Sequence, residues 1–191
     1  MITRRGFLKN GIAGTCALCT GYAPFISTIN ASGSYEEEFP AQEAMYYKQL
    51  PEMRVECELC PRGCKVADLE RGYCGVRENR DGKYYTLVHS RVCSLNADPI
   101  EKKPLFHYLP GTKAYSIATA GCNIECKFCQ NWQISQFRPE QINSIKMTPE
   151  EVVKFAQERK CDTIAYTYSE PVVFYEYMYD TARLGKQEGV G

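Results

Sequence analysis

The chain has 191 residues, with 23 basic and 23 acidic side chains, and contains eleven cysteines. That length is about one ordinary domain with room for a core, and the even charge balance excludes a global field that would steer nucleic acid or a membrane surface, so no nucleic-acid partner is expected. Fourteen Tyr and eight Phe exclude a disordered chain. Most of the cysteines fall in two tight groups, which favours metal or cluster ligation over a disulfide framework.

The opening MITRRGFLKNGIAGTCALCTGYAPFISTINASG carries Arg4, Arg5 and Lys9, and no charge then follows until Glu36. The uncharged stretch is too weakly apolar for a spanning helix. TRRGFLK resembles the twin-arginine export signal. Residues 1–33 are therefore expected to be a receptor-read address outside the fold, directing the protein to the cell envelope. The alternative is a disordered basic tail on a cytoplasmic protein. Residues 34–53 read as a polar linker.

Residues 54–112 read as a small cysteine-rich β module. CELCPRGCKVADLERGYC sets Cys57, Cys60, Cys64 and Cys74 at C-x2-C-x3-C-x9-C. Four thiols this close suit a closed metal site, and zinc and a second iron–sulfur cluster both remain open. The bland reading is four free or paired thiols. Asp81-Gly82 between two extendable runs predicts a hairpin. NADPIEKKPLFHYLPGTK, rich in Pro and Gly, reads as an extended connector. The scattered Cys16, Cys19, Cys93 and Cys161 read as small hydrophobes.

From residue 113 the texture becomes α/β. AYSIATAG predicts a strand. MTPEEVVKFAQERK predicts a helix, with Thr148 as N-cap, Pro149 at the first position and Glu151 completing a capping box. DTIAYTY predicts a buried strand. PVVFYEYMYDTARLGKQ predicts a second helix, with Val173, Phe174, Tyr177, Met178 and Thr181 on its apolar face. This order is that of parallel βα units, whose functional loops lie at the carboxyl ends of the strands.

Both chemical signals fall at such ends. The first strand runs into GCNIECKFCQNW, with Cys122, Cys126 and Cys129 at C-x3-C-x2-C. At the chain's cysteine frequency this spacing arises by chance with a probability of about 0.04, so position as well as spacing carries the signal. Three thiolates suit a four-iron cluster with one iron left open, and an open position is what a catalytic site keeps. Zinc would need His89 or His107 as a fourth ligand, and neither lies in the loop. The second strand ends in YSEP, Tyr168 to Pro171. Glu170 can accept charge-assisted hydrogen bonds from an ammonium, or can simply sit as an acid at a helix N-terminus.

CNIECKFC resembles the cluster motif of the radical S-adenosylmethionine (radical SAM) superfamily. DPIEKKPLFHYLPGTKAYSIATAGCNIECKFCQNWQISQ together with IAYTYSEP is similar to the AmmeMemoRadiSam-system radical SAM enzymes, a branch related to the pyruvate formate-lyase activating enzymes. The resemblance spans roughly residues 54–191. It implies that Cys122, Cys126 and Cys129 hold a [4Fe-4S] cluster and that S-adenosylmethionine chelates the open iron. Reductive cleavage would then give a 5'-deoxyadenosyl radical that abstracts hydrogen from a substrate, whose identity stays open, with a protein as one candidate. It implies that Phe128 flanks the adenine and that Tyr168, Ser169 and Glu170 occupy the place of the motif that binds the methionyl amino group. An electron donor such as ferredoxin or flavodoxin is implied as partner. Cys57, Cys60, Cys64 and Cys74 remain a second site for zinc or an iron–sulfur cluster.

The expected fold is a partial (β/α) barrel, with residues 113–191 supplying about its first two units after the cysteine-rich module. A complete eight-unit barrel takes roughly 250 residues. The sequence therefore reads as a C-terminally truncated enzyme that needs a partner chain or turns over little. The competing readings are an iron–sulfur electron-transfer protein, a zinc-stabilised binding module and an inactive fragment.

Overall fold

The structure is a computed structural model, and it describes residues 39–191. The export-signal reading of residues 1–33 lies outside them. Among the described residues no helix is long and apolar enough to cross a membrane.

Six short strands come first: β1 (Gln42–Glu43), β2 (Tyr47–Leu50), β3 (Arg54–Cys57), β4 (Lys65–Val66), β5 (Arg77–Arg80) and β6 (Lys83–Thr86). They make two antiparallel sheets, in the orders β1-β6-β5 and β2-β3-β4. Asp81 and Gly82 form the two-residue turn between β5 and β6, with φ of 54° and 75° and Arg80 opposite Lys83. Positive φ at both positions is what a hairpin turn matched to strand twist requires, and Gly takes it without Cβ strain.

The expected linker is corrected here. Its described part holds β1 and β2, and β2 pairs with β3 from Tyr47 opposite Cys57 to Leu50 opposite Arg54. Ala44 is buried with Val55, Cys57, Val66 and Tyr84, and Tyr47 packs on them. These two apolar anchors are too sparse among Glu, Gln and Lys to show a period-2 strand signal.

Five further strands follow: β7 (Arg91–Val92), β8 (Ser94–Pro99), β9 (Lys113–Ala118), β10 (Ile145–Lys146) and β11 (Thr163–Tyr166). The main sheet has the order β11-β9-β8. β9 and β11 are parallel, from Ala114 opposite Thr163 to Ile117 opposite Tyr166. β8 lies antiparallel on the other edge of β9, which corrects the start of the expected connector. Its buried Asp98 breaks the hydrophobic pattern that would have marked a strand.

Two helices cover the sheet. In α1 (Pro149–Glu158), the Thr148 hydroxyl accepts from the Glu151 N–H, and the Glu151 carboxylate accepts from the Thr148 N–H. That reciprocal cap sets the start of the helix. A 3-10 turn (Pro171–Phe174) leads into α2 (Tyr175–Gln187), so the predicted second helix begins with a tighter turn. Val173, Phe174, Tyr177 and Thr181 are buried, as the helical period predicts. Val173, Phe174 and Tyr177 join Tyr115, Ile117, Val152 and Ala156 in the main core, and the half-buried Met178 packs against it. After α2 the chain returns to the sheet: the Ile164 N–H donates to the Gly191 carbonyl at 2.8 Å and the Gly191 N–H to the Asp162 carbonyl at 3.0 Å. Among the described residues the strands form four separate small sheets and no closed barrel.

Candidate metal centre

Parallel pairing puts the carboxyl ends of β9 and β11 side by side, and both predicted motifs emerge there. The first begins at Gly121, with φ of 92°. A Cβ on this residue would stand 2.5 Å from Val76 Cγ1 and 2.8 Å from the Cys74 carbonyl oxygen. Only glycine lets the strand turn into the loop this close to the cysteine-rich module. The Gly121 N–H donates to the Ile134 carbonyl at 2.8 Å, closing the loop at its base.

Cys122 and Cys129 are half-buried and Cys126 is exposed. The Cys122 sulfur accepts from the Ile124 N–H at 3.3 Å, and Cys129 Sγ lies 3.3 Å from the Ser135 hydroxyl. Cys126, Phe128, Cys129, Trp132 and Gln136 line an open recess of about 410 Å3. That is within the usual range of small-molecule sites, roughly 300–1,000 Å3. Phe128 is 93% exposed, an apolar ring held out in water. Among the described residues no three Cys, His, Asp or Glu side chains are gathered tightly enough to hold a metal ion as they stand. The donor chemistry nevertheless fits an iron–sulfur cluster: three soft sulfurs on one mostly open loop, beside a roomy recess.

The second motif is tied back into the protein. Tyr168 has φ of 69° and turns its hydroxyl to donate to Asp98 Oδ2 at 2.6 Å. Asn96 donates to the same hydroxyl at 3.2 Å, and the Lys103 ammonium sits 4.7 Å from the ring centroid. Ser169 donates its hydroxyl to the Thr119 carbonyl at 2.8 Å. The Glu170 carboxylate accepts from the Val172 N–H at 3.4 Å, capping the 3-10 turn. The side chains of Tyr168 and Ser169 are thus engaged within the fold, and Glu170 makes the helix-end contact that was its alternative reading. Burial alone would raise the Asp98 pKa, but hydrogen bonds from Lys103, Tyr168, Lys102 and Ser116 outweigh it and hold the carboxyl well below the usual carboxylate range.

Asn131 joins the two motifs, donating Nδ2 to the Tyr168 carbonyl at 2.9 Å. Sequence reasoning passed over it, although it stands two residues after Cys129. Asp98 was passed over too, because nothing local marks a carboxylate whose partner Tyr168 is distant in the chain.

The structure brings the upstream cysteines together. Cys57, Cys60, Cys64 and Cys74 line one small cavity with Arg62, Tyr73, Arg77, Tyr84, Asn123 and Val172. Burial pushes the Cys74 thiol up to about 11. Asn123 belongs to the other cysteine loop, so the two groups meet. Arg62 Nε donates to the Asn123 carbonyl at 2.5 Å, the Arg62 guanidinium lies 3.4 Å over the Tyr73 ring, and the Tyr73 hydroxyl donates to Glu125 Oε2 at 2.7 Å. Of the scattered cysteines, Cys161 is buried in the main core as read, and Cys93 is half-buried.

Residues 116–191 match the model of the Radical SAM superfamily. This part of the chain is thus similar to that superfamily, whose members typically bind a [4Fe-4S] cluster and S-adenosylmethionine. Two curated relatives come from the archaeon Methanocaldococcus jannaschii. The chain is 50% identical over 149 residues to the uncharacterized protein MJ0808, an alignment that takes in 78% of this chain and 45% of that protein. It is 28% identical over 108 residues to the uncharacterized protein MJ0674, covering 54% of this chain and 27% of that one. The chain thus spans less than half the length of either relative. No solved structure matches.

Proposed function

We propose that Cys122, Cys126 and Cys129 hold a [4Fe-4S] cluster and that the chain carries the cluster-binding part of a radical SAM enzyme of the AmmeMemoRadiSam type. The observation that carries this reading is the three-cysteine loop at the carboxyl end of β9, open to a recess and adjoining the end of β11. A cluster with one open iron, bound with S-adenosylmethionine, supplies reductive cleavage of the sulfonium and a 5'-deoxyadenosyl radical.

The protein's own contribution is positioning. Gly121 and Ser135 hold the two ends of the loop, and exposed Cys126 closes the ligand set from the solvent side. The free Phe128 ring and Trp132 offer flat apolar surface to an adenine. Asn131 locks the loop to Tyr168, so the two strand ends move together. Glu170 is suited to accept from the methionyl ammonium on giving up its bond to Val172. The substrate is open, with a protein one candidate, and the candidate electron donor is a ferredoxin or flavodoxin.

The test is anaerobic reconstitution with iron and sulfide, followed by reduction with S-adenosylmethionine present. Wild type is expected to bind about four irons at this loop and to yield 5'-deoxyadenosine. Cys126→Ala is expected to lose that iron and all cleavage. Iron content equal in the two proteins would overturn the reading. Iron binding without S-adenosylmethionine binding would leave an electron-transfer protein instead.

A further inference from the structure

Cys57, Cys60, Cys64 and Cys74 line one cavity, although their sulfurs as they stand are not gathered tightly enough to hold an ion. We propose that this cavity is a four-thiolate zinc site whose loading fixes the loop that carries Cys122, Cys126 and Cys129. The zinc assignment stands independently of the radical SAM reading, because no residue of the three-cysteine set enters it.

Size decides between the two chemistries the spacing leaves open. The space among the four cysteines, partly open to solvent, is about 20 Å3, room for one water-sized sphere. A single zinc with four Cys ligands needs no more, whereas a four-iron cube would have to push the walls apart. On the inner side the walls are fixed, since Val173 and Tyr84 are buried and Arg77 is 1% exposed, whereas Arg62 and Tyr73 on the outer side are exposed. Binding displaces four thiol protons to solvent and leaves two net negative charges on the site. A buried donor is in place for them: Arg77 Nη1 lies 3.8 Å from Cys57 Sγ. Backbone hydrogen bonds hold the ligand-bearing segments next to one another. The Cys57 N–H donates to the Cys64 carbonyl at 2.9 Å, and the Gly63 N–H to the Cys60 carbonyl at 3.2 Å.

The same cavity reaches the other loop at three points. Asn123, between Cys122 and Ile124, is part of its wall, and Asn123 Oδ1 is buried without a hydrogen-bond partner. Arg62, between Cys60 and Cys64, holds the Asn123 carbonyl. The Cys74 carbonyl stands against Gly121. Drawing the four sulfurs onto an ion sets Arg62 and Cys74, and these set the backbone from Gly121 to Asn123.

The experiment uses the full chain with Cys122, Cys126 and Cys129 all changed to Ser, so that any metal reports on the upstream cavity alone. After expression with both zinc and iron supplied, about one zinc per chain and no sulfide is expected, and Cys60→Ser in this background should release it. Iron with stoichiometric sulfide, or no metal after incubation with Zn2+, overturns the assignment. Since a cysteine variant can misfold, Co2+ loading of the otherwise unchanged triple variant gives a second readout, and absence of tetrahedral thiolate–cobalt absorption counts against the site. Amide exchange at residues 121–125 should slow by about tenfold on adding Zn2+. Zinc bound with unchanged exchange there overturns the coupling.

Discussion

The Arg77 guanidinium on β5 and the Glu176 carboxylate in the first turn of α2 form an ion pair with side chains only 1% and 2% exposed. Glu176 also accepts from the Met45 N–H at 2.6 Å, and Arg77 donates to the Met45 carbonyl at 3.3 Å. One charge pair thus ties together β5, the turn after β1 and the helix of the second βα unit. Its satisfaction is incomplete, since Arg77 Nε and Glu176 Oε2 have no partner. Glu176→Ala leaves a buried cation uncompensated and is expected to cost about 3–5 kcal/mol in denaturant unfolding. Changing Arg77 to Met and Glu176 to Leu together should recover most of that loss. A double variant no more stable than Glu176→Ala would show that the pair is not the source.

Gly121→Ala tests the entrance to the three-cysteine loop. The added methyl meets Val76 Cγ1 and the Cys74 carbonyl oxygen at 2.5 and 2.8 Å, and the backbone φ of 92° is itself unfavourable for an L side chain. The carbonyl cannot rotate away as a side-chain tip can. Iron incorporation at the loop is expected to fall severalfold while the main core stays folded. Normal iron loading in this variant would mean that the contact with Cys74 does not set the loop.

Much of the fold around the site was legible because its signals are local. The Asp81-Gly82 turn, the Thr148–Glu151 cap and the apolar stripe through Phe174 and Tyr177 each need only a few neighbouring residues, and each stands as the spacing predicts. The upstream cysteines, grouped by spacing, line one cavity. Illegible were the elements held by distant partners. β2 is secured by β3 across a turn, through anchors too few to show a period. β8 is hidden by Asp98, a charge tolerated inside only because Lys103 and Ser116 answer it. The bond from Arg62 to Asn123 crosses 61 positions of sequence, and nothing in either neighbourhood announces it.

The Asp98 network makes a pH prediction. Its carboxyl is ionised in the fold and titrates below the ordinary value of 3.8, because hydrogen bonds from Lys103, Tyr168, Lys102 and Ser116 outweigh the opposing effect of burial. A depressed folded-state pKa stabilises the fold above the unfolded value, and that contribution is lost as pH falls from about 4 towards the folded value. Asp98→Asn should therefore unfold more easily than wild type at neutral pH, with the gap closing as the solution is acidified below about pH 4. A gap that stays constant across that window would remove the ionised carboxylate as its cause.

The last prediction concerns the grip of the cysteine-rich module on the loop. Arg62 makes two contacts at once: its guanidinium lies flat over Tyr73 at 3.4 Å, and its Nε reaches the Asn123 carbonyl at 2.5 Å. Tyr73 in turn donates to Glu125 at 2.7 Å. The two side chains therefore hold the loop on either side of Ile124 and brace each other. Arg62→Lys keeps the charge but loses the planar fork that stacks and donates together. Tyr73→Phe keeps the stacking face and removes only the bond to Glu125. Both are surface changes and should leave global stability nearly unchanged. Each should speed the loss of iron from the reconstituted loop on dilution into chelator, with the Arg62 change the larger. Because the contacts brace each other, the double variant is expected to lose iron no faster than the product of the two single effects, and close to Arg62→Lys alone. Equal iron-loss rates in wild type and both single variants would show that the module holds the loop through Gly121 and Cys74 instead.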